Sequence, residues 1–217
     1  MSQALLSSAY FAPIQWYHKL YRYDKVTVEA HDSFIKQTYR NRCLIATTAG
    51  VQALTVPVER GTDGSVADGA QPTKKCLMKD VRISDHGNWR HLHWNALQSA
   101  YGESPFFEFY ADDIRPFFER RWTYLYDFNA EICAKMCELI GLSPCVSPST
   151  EYIPADDARL TDVADLRDAI RPKHPLPDPL FSPRRYYQVY EAKHGFLPNL
   201  SILDLLFNMG PESLLYL

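Results

Sequence analysis

The first thirty residues constrain the fold more than any other stretch, because they predict two parallel strands joined by a helix. Ala4 to Ser8 is a short, mostly apolar run, and Val26 to Val28 is β-branched at both ends, as buried strands are. Between them, from Ile14 to Tyr23, large side chains such as Trp16 and Leu20 recur at the spacing of an amphipathic helix. A strand, a crossover helix and a second strand favour a parallel pair. The sequence therefore predicts an α/β protein, with a mixed α+β fold as the alternative.

A predicted hairpin follows this unit. Leu44 to Thr48 and Val51 to Val58 have the residue types of strands, and Ala49-Gly50 between them suits a tight turn. Pro57 cannot donate a hydrogen bond to a ladder, so the second strand ends there or lies at an edge. We expect the hairpin to join the first two strands in one mixed sheet that is flanked by helices.

The middle of the chain predicts further elements. Leu77 to Ile83 suits another strand, while Ser84 to Tyr101 and Leu125 to Leu139 have helical periodicity. Phe106 to Trp122 is so aromatic that it belongs to a core or an interface. Glu59 to Thr73, which is rich in Gly, Asp and Ser, predicts a flexible surface loop.

Residues 144–217 differ in composition from the α/β core domain predicted at 1–143. Five prolines between positions 172 and 183 predict an extended connector, and Asp162 to Ile170 is the one short helix expected there. The segments 186–190 and 202–207 are too apolar to be free in solvent. We therefore expect this C-terminal arm to pack on the core or on a second subunit of a homo-oligomer.

Composition excludes several classes of protein. A net charge of -3 argues against a nucleic-acid partner that is bound through bulk charge. No apolar run approaches the ~20 residues of a membrane span, and the N-terminus lacks the basic start of a signal peptide. The five cysteines show no C-x-x-C spacing, so a reduced, cytoplasmic protein is expected. No motif identifies a cofactor.

The segment KQTYRNR at positions 36–42 is the main candidate for binding. In an extended chain Arg40 and Arg42 share a face and Asn41 points away from it, while Lys36 adds a third positive charge. Two neighbouring guanidiniums repel unless an anion lies between them, which favours a carboxylate or phosphate site. The alternative is that internal carboxylates neutralise both arginines, since the chain has 26 acidic residues against 23 basic ones.

Three residues are candidates for moving a proton. Glu29 and His31 lie on one face just past the second predicted strand, at the edge where open α/β sheets bind ligands. His93 is a further candidate, because a histidine changes charge near neutral pH. His91 and His93 are two residues apart and diverge on a helix, unlike the pair of a zinc helix, so no metal site is expected.

Four blocks together resemble the WbqC-like proteins, in the right order and over nearly the whole chain. They are AYFAPIQWYHKL, KQTYRNR with the hairpin ending in LTVPV, W-x3-HWNALQSAYGESPFF and GFLPNLSILDLLFNMGP. Members of this family occur in bacteria, in part beside genes for O-antigen and other surface polysaccharides. The resemblance implies transfer of a glycyl or similar aminoacyl group to an amino sugar.

The family's recurrent pattern falls on Tyr10, Lys36, Arg40, Asn41, Arg42, Pro57, Trp89, Tyr101 and Phe107. One departure is that many members have Gln-Pro-x-Tyr where this chain has Ser7-Ser8-Ala9 before Tyr10, so any role of that Gln is absent or is supplied elsewhere.

Two functions follow from the resemblance. The first is an enzyme acting on a nucleotide-linked or lipid-linked amino sugar. In it the cations of KQTYRNR hold a phosphate or carboxylate, Glu29, His31 or His93 takes the proton of the attacking amine, and Trp89 and Tyr101 stack on a sugar or base. The second is a non-catalytic scaffold or regulatory subunit of a polysaccharide assembly complex, for which the aromatic block and the C-terminal arm are suited.

Overall fold

The computed structural model describes residues 1–59 and 76–217. The strands are β1 (Gln3–Ser7), β2 (Lys25–Glu29), β3 (Arg42–Thr47), β4 (Gly50–Thr55), β5 (Val146–Pro148) and β6 (Val163–Asp165). The α-helices are α1 (Ile14–Arg22), α2 (Trp89–Tyr101), α3 (Phe107–Ile114), α4 (Pro116–Glu119), α5 (Leu125–Leu139), α6 (Glu191–His194) and α7 (Ile202–Met209). Short 3₁₀ helices occupy Met78–Asp80, His86–Asn88, Ala158–Leu160 and Gly210–Tyr216. The loop predicted at 59–73 lies outside the described residues, apart from Glu59.

A four-stranded parallel sheet in the order β5-β2-β1-β6 organises the fold. Ala4 of β1 lies opposite Val26 of β2 and Ala164 of β6, and Leu6, two residues further along β1, is completely buried. A strand with neighbours on both edges and helices over its faces needs this apolar character. The predicted parallel pair and the α/β class are confirmed.

The β3–β4 hairpin forms where it was predicted, with Gly50 at a φ of 106° in its turn. It is a separate two-stranded antiparallel sheet, so the expectation that it joins β1 and β2 is corrected. The reason is that β6 and β5 occupy the outer edges of β1 and β2 and leave no free edge for the hairpin.

Two other predictions of secondary structure are wrong. Leu77 to Ile83 is not a strand but surrounds the 3₁₀ helix Met78–Asp80, whose Met78 is buried in the core. The helix predicted at Asp162 to Ile170 is replaced by β6, which pairs with residues 3–5 of β1. Pairing with a strand about 160 residues away in the chain overrides the local preference for a helix.

The arm packs against the core of its own chain. The side chain of Asn199 accepts a hydrogen bond from the backbone N–H of Gln15 at 2.9 Å, in the first turn of α1, and Ile14 N donates to Leu200 O at 3.0 Å. The apolar residues of α7 are buried except for the half-buried Met209. Since β5 and β6 also come from residues 144–217, this segment supplies both outer strands of the parallel sheet. The division into a core at 1–143 and an arm stays a prediction.

Candidate functional site

A cleft of about 430 Å³ lies at the carboxyl edge of the parallel sheet. The chain runs from β1 outward to β2 and β5 and then returns to the other side of β1 as β6, so the strand order reverses beside β1. Open α/β sheets bind ligands at such a reversal. We call this cleft the edge cleft. Its polar and aromatic lining residues are His31, Asp32, Ser33, Arg40, Tyr152, Asp165, Arg167 and Asp168.

Glu29, at the end of β2, is completely buried beside the edge cleft. Its Oε1 accepts from Ser149 Oγ at 2.6 Å and from His31 N at 2.9 Å, and its Oε2 accepts from Arg167 Nη1 at 3.3 Å. Ile153 N is a further donor to Oε2 at 3.3 Å. A carboxylate held by four donors and closed to solvent orients its neighbours and does not reach a substrate proton.

The hydrogen bonds around Ser149 determine which nitrogen of His31 carries a proton. Ser149 Oγ accepts from Ala30 N at 3.0 Å and donates its single proton to Glu29. It can therefore only accept from His31 Nδ1, which lies 3.3 Å away. His31 Nδ1 holds the hydrogen and Nε2 keeps its lone pair. His31 is partly exposed and lines the edge cleft.

Asp32 and Arg40 form a buried ion pair in the wall of the cleft. Arg40 Nη2 also donates to Ser7 Oγ at 3.0 Å. Burial raises the pKa of Asp32, although the adjacent guanidinium opposes this shift. Among the described residues, Asp32 Oδ1 and Arg40 Nε find no hydrogen-bond partner.

Arg167 connects the two sides of the cleft. Its Nη2 lies 2.6 Å from Asp165 Oδ2, its Nη1 donates to Ile153 O at 2.6 Å, and its guanidinium lies over the ring of Tyr152. Hydrogen bonding to Asp165 raises the pKa of Arg167. Asp168 pairs in turn with Arg171. Asp165 and Asp168 are thus charge-paired, yet both are partly exposed and keep lone pairs that can accept from hydroxyls or amines of a ligand.

The structure separates the residues of KQTYRNR. Of these, Arg40 alone lines the edge cleft, and its pairing with Asp32 matches the alternative of internal neutralisation. Asn41 is buried and donates to Val56 O at 2.9 Å, which ties the segment to the hairpin. Arg42 begins β3 and is half-buried, whereas Lys36 is exposed next to Ile35, a lining residue of the cleft.

The candidates from α2 lie in the aromatic core. His93 Nδ1 is 3.0 Å from Tyr10 Oη, its ring packs edge-on against Trp89, and burial lowers the pKa of His93 to about 4. Tyr101 donates from its hydroxyl to Asp204 at 2.9 Å. These side chains are buried and none lines the edge cleft, so their rings have no open face there. Tyr152, which is 51% exposed, is the aromatic ring that the cleft does present.

Sequence reasoning missed the contributions of the connector. Ser149, Tyr152, Asp165 and Arg167 follow or end the short strands β5 and β6, which were not predicted. These strands read Val-Ser-Pro and Val-Ala-Asp, and neither has a run of apolar or β-branched residues that would have predicted it. Within the described ranges, no group of three or more His, Cys, Asp or Glu residues could hold a metal ion. No helix among these residues is long and apolar enough to cross a membrane.

The fold and the site define an α/β protein with a polar, histidine-containing cleft at the carboxyl edge of a parallel sheet. The chain belongs to the WbqC-like protein family, whose model matches residues 8–176. The matched range includes both the cleft and the connector strands that complete it.

A curated relative is the "Uncharacterized protein Rv1507c" of Mycobacterium tuberculosis. It is 27% identical to this chain over an alignment that covers 100% of this chain and 98% of the relative. No solved structure matches the chain.

Proposed function

We propose that this protein is a cytoplasmic enzyme of bacterial surface-polysaccharide synthesis, of the O-antigen type, that transfers a glycyl or other aminoacyl group to the amine of a nucleotide-linked or lipid-linked amino sugar. Membership of the WbqC-like family supports the pathway. The observation that carries the reaction type is the chain of hydrogen bonds from Glu29 through Ser149 to His31, which leaves a basic nitrogen in a sugar-sized cleft.

In this reaction the amine nitrogen of the sugar attacks the carbonyl carbon of the aminoacyl donor. His31 Nε2 takes a proton from the nitrogen as the N–C bond forms, and the donor's leaving group departs with the electron pair of the bond that breaks. A positioned base of this kind contributes ~10²–10⁴-fold to a rate. The buried Glu29 stabilises the imidazolium through Ser149, as an orienting carboxylate does in other histidine sites.

The cleft's paired carboxylates would orient the sugar. Asp165 and Asp168, whose side chains are exposed to the cleft, accept from its hydroxyls and amine, and the exposed ring of Tyr152 packs on its apolar face. Lys36, which is exposed next to the lining residue Ile35, is the proposed contact for the phosphate of the carrier.

The test is complementation in the bacterium that carries the gene. Deleting the gene should lower the mass of the polysaccharide repeat unit by one aminoacyl residue, measured by mass spectrometry. The wild-type gene and a His91→Asn control, which changes an exposed histidine of α2, should restore that mass, and His31→Asn should not. An unchanged repeat unit in the deletion strain, or full rescue by His31→Asn, would contradict the proposal.

The scaffold alternative makes the opposite prediction for His31→Asn, namely full rescue. The aromatic block and the C-terminal arm suggested a surface for a partner, but both pack largely within this chain. Phe107, Phe117 and Phe118 are buried, and α7 packs into the core.

A further inference from the structure

A second cleft, of about 650 Å³, opens between α5, the whole of β5 and the residues at the carboxyl ends of β1 and β2. Its walls are mostly apolar and include Trp16, Val28, Tyr126, Leu142, Val146 and Pro148. We call it the apolar cleft. Its volume and its apolar walls with a few polar groups are typical of small-molecule sites.

A narrow crevice shares lining residues with the apolar cleft and with the edge cleft. Ser8, which follows β1, lines the apolar cleft and also this crevice. That crevice is lined by Arg40 and Arg167, which line the edge cleft as well. Both clefts therefore border the same crevice, beside the carboxyl end of β1.

One buried amide in the apolar cleft favours a ligand that carries a hydrogen-bond donor. Asn129, which is 2% exposed and lines the cleft, donates from Nδ2 to Arg40 O at 2.8 Å and to Ser8 Oγ at 2.9 Å. A backbone carbonyl can only accept, so the nitrogen must face Arg40 and the orientation of the amide is determined. Its Oδ1 has no hydrogen-bond partner among the described residues.

We propose that the apolar cleft binds the nucleobase of a nucleotide-linked amino sugar, while the edge cleft binds the sugar. This rests on the proposed function and narrows its substrate from a nucleotide or lipid carrier to a nucleotide. A base offers flat faces to the apolar walls and an N–H donor that satisfies Asn129 Oδ1. An isoprenoid chain has no donor and would leave that oxygen buried without a partner, which is unfavourable.

The proposal is tested by calorimetric titration of the purified protein with UDP, dTDP, GDP and CMP, and with inorganic diphosphate and farnesyl diphosphate for comparison. At least one nucleotide should bind tenfold or more tightly than inorganic diphosphate. Ala130→Phe and Ala134→Phe fill the cleft from exposed positions on α5 and should weaken that binding at least tenfold. Ala192→Phe is the matched control, an exposed alanine on α6 that lines neither cleft, and should bind as the wild type does.

Binding no tighter than that of inorganic diphosphate for every nucleotide, or unchanged affinity in both filled variants, would overturn the proposal. So would farnesyl diphosphate binding more tightly than every nucleotide and losing its affinity in the filled variants, since the occupant would then be a lipid. His31→Asn should retain nucleotide affinity. Nucleotide binding with no effect of His31→Asn on the polysaccharide would therefore refute the transfer chemistry and leave the nucleobase site supported.

Discussion

Arg167 Nη1 lies 3.3 Å from Glu29 Oε2, and this contact joins the connector to the carboxyl end of β2. Both partners are shielded from water, with 9% of the Arg167 side chain exposed and none of the Glu29 side chain. Replacing Arg167 by Met should leave Glu29 charged and without its cation. We expect this variant to lose about 3–5 kcal/mol of unfolding free energy, measured by urea denaturation.

A double variant provides the control for that prediction. Glu29→Gln combined with Arg167→Met removes both charges, and the amide oxygen can still accept from Ser149. Its loss should be smaller than that of Arg167→Met alone, because the completely buried Glu29 charge is then gone, while the partly exposed Asp165 loses its cation in both variants. A double variant less stable than the single one would show that the ion pair is not the cause.

The tautomer of His31 can be observed directly. Nitrogen-15 NMR of histidine-labelled protein above the titration range of the ring should show a proton on Nδ1 of His31 and none on Nε2. Ser149→Ala removes the acceptor at 3.3 Å and should shift the ring toward the other tautomer. A wild-type ring with its proton on Nε2 would refute the assigned network, and the exposed His91 serves as the internal reference.

Acid should destabilise the protein through His93. Burial lowers the pKa of His93 from 6.5 to about 4, so between these pH values the unfolded chain binds a proton that the folded chain does not. The contribution of neutral His93 to the free energy of unfolding is complete above pH 6.5. It is lost as the pH falls to about 4, and the loss is on the order of 3 kcal/mol. His93→Gln should flatten the dependence of unfolding free energy on pH.

The same substitution at the exposed His91 is the control and should leave the slope unchanged. A residual slope is expected in His93→Gln, because burial also lowers the pKa of His18 to about 4. An identical slope in wild type and His93→Gln would exclude His93 as the source.

The stable packing of the C-terminal arm on the core should depend on Asp204. This completely buried carboxylate accepts from Tyr101 Oη at 2.9 Å, Tyr186 Oη at 2.6 Å and Gln188 Nε2 at 3.0 Å. Asp204→Ala leaves the hydroxyls of Tyr101 and Tyr186 without an acceptor and should cost roughly 3 kcal/mol or more. Amide hydrogen exchange should then speed up over residues 186–209. Asp204→Asn retains an acceptor and should show a smaller effect, so equal effects would refute this account.

The two arginines of KQTYRNR should respond differently to replacement. Arg40→Ala leaves Asp32 buried without its cation, and we expect a clear fall in melting temperature. Arg42 is half-buried on β3, and Arg42→Ala should fold with a melting temperature close to that of the wild type. Equal loss in both variants would contradict the assignment of Arg40 alone as the structural partner of Asp32.

Local patterns in the sequence were sufficient for much of the fold. The helical spacing in α1 and α5 and the turn at Gly50 were predicted within one or two residues, because each depends on neighbours in the chain. Strands β5 and β6 were missed, since three residues carry little periodic signal and their stability comes from pairing with β2 and β1.

The same distinction applies to the site. The position of His31 after β2 could be predicted from sequence, because it follows directly from the strand–helix–strand unit that begins the chain. The residues that surround it could not be predicted. Ser149 and Arg167 bind Glu29, and both lie more than a hundred residues further along the chain. The sequence by itself determined the parallel pair and the family resemblance. Only the tertiary structure decided that Arg40 pairs with Asp32 and that Ser149 orients the ring of His31. The reason is that both contacts depend on burial and on residues brought together by the fold.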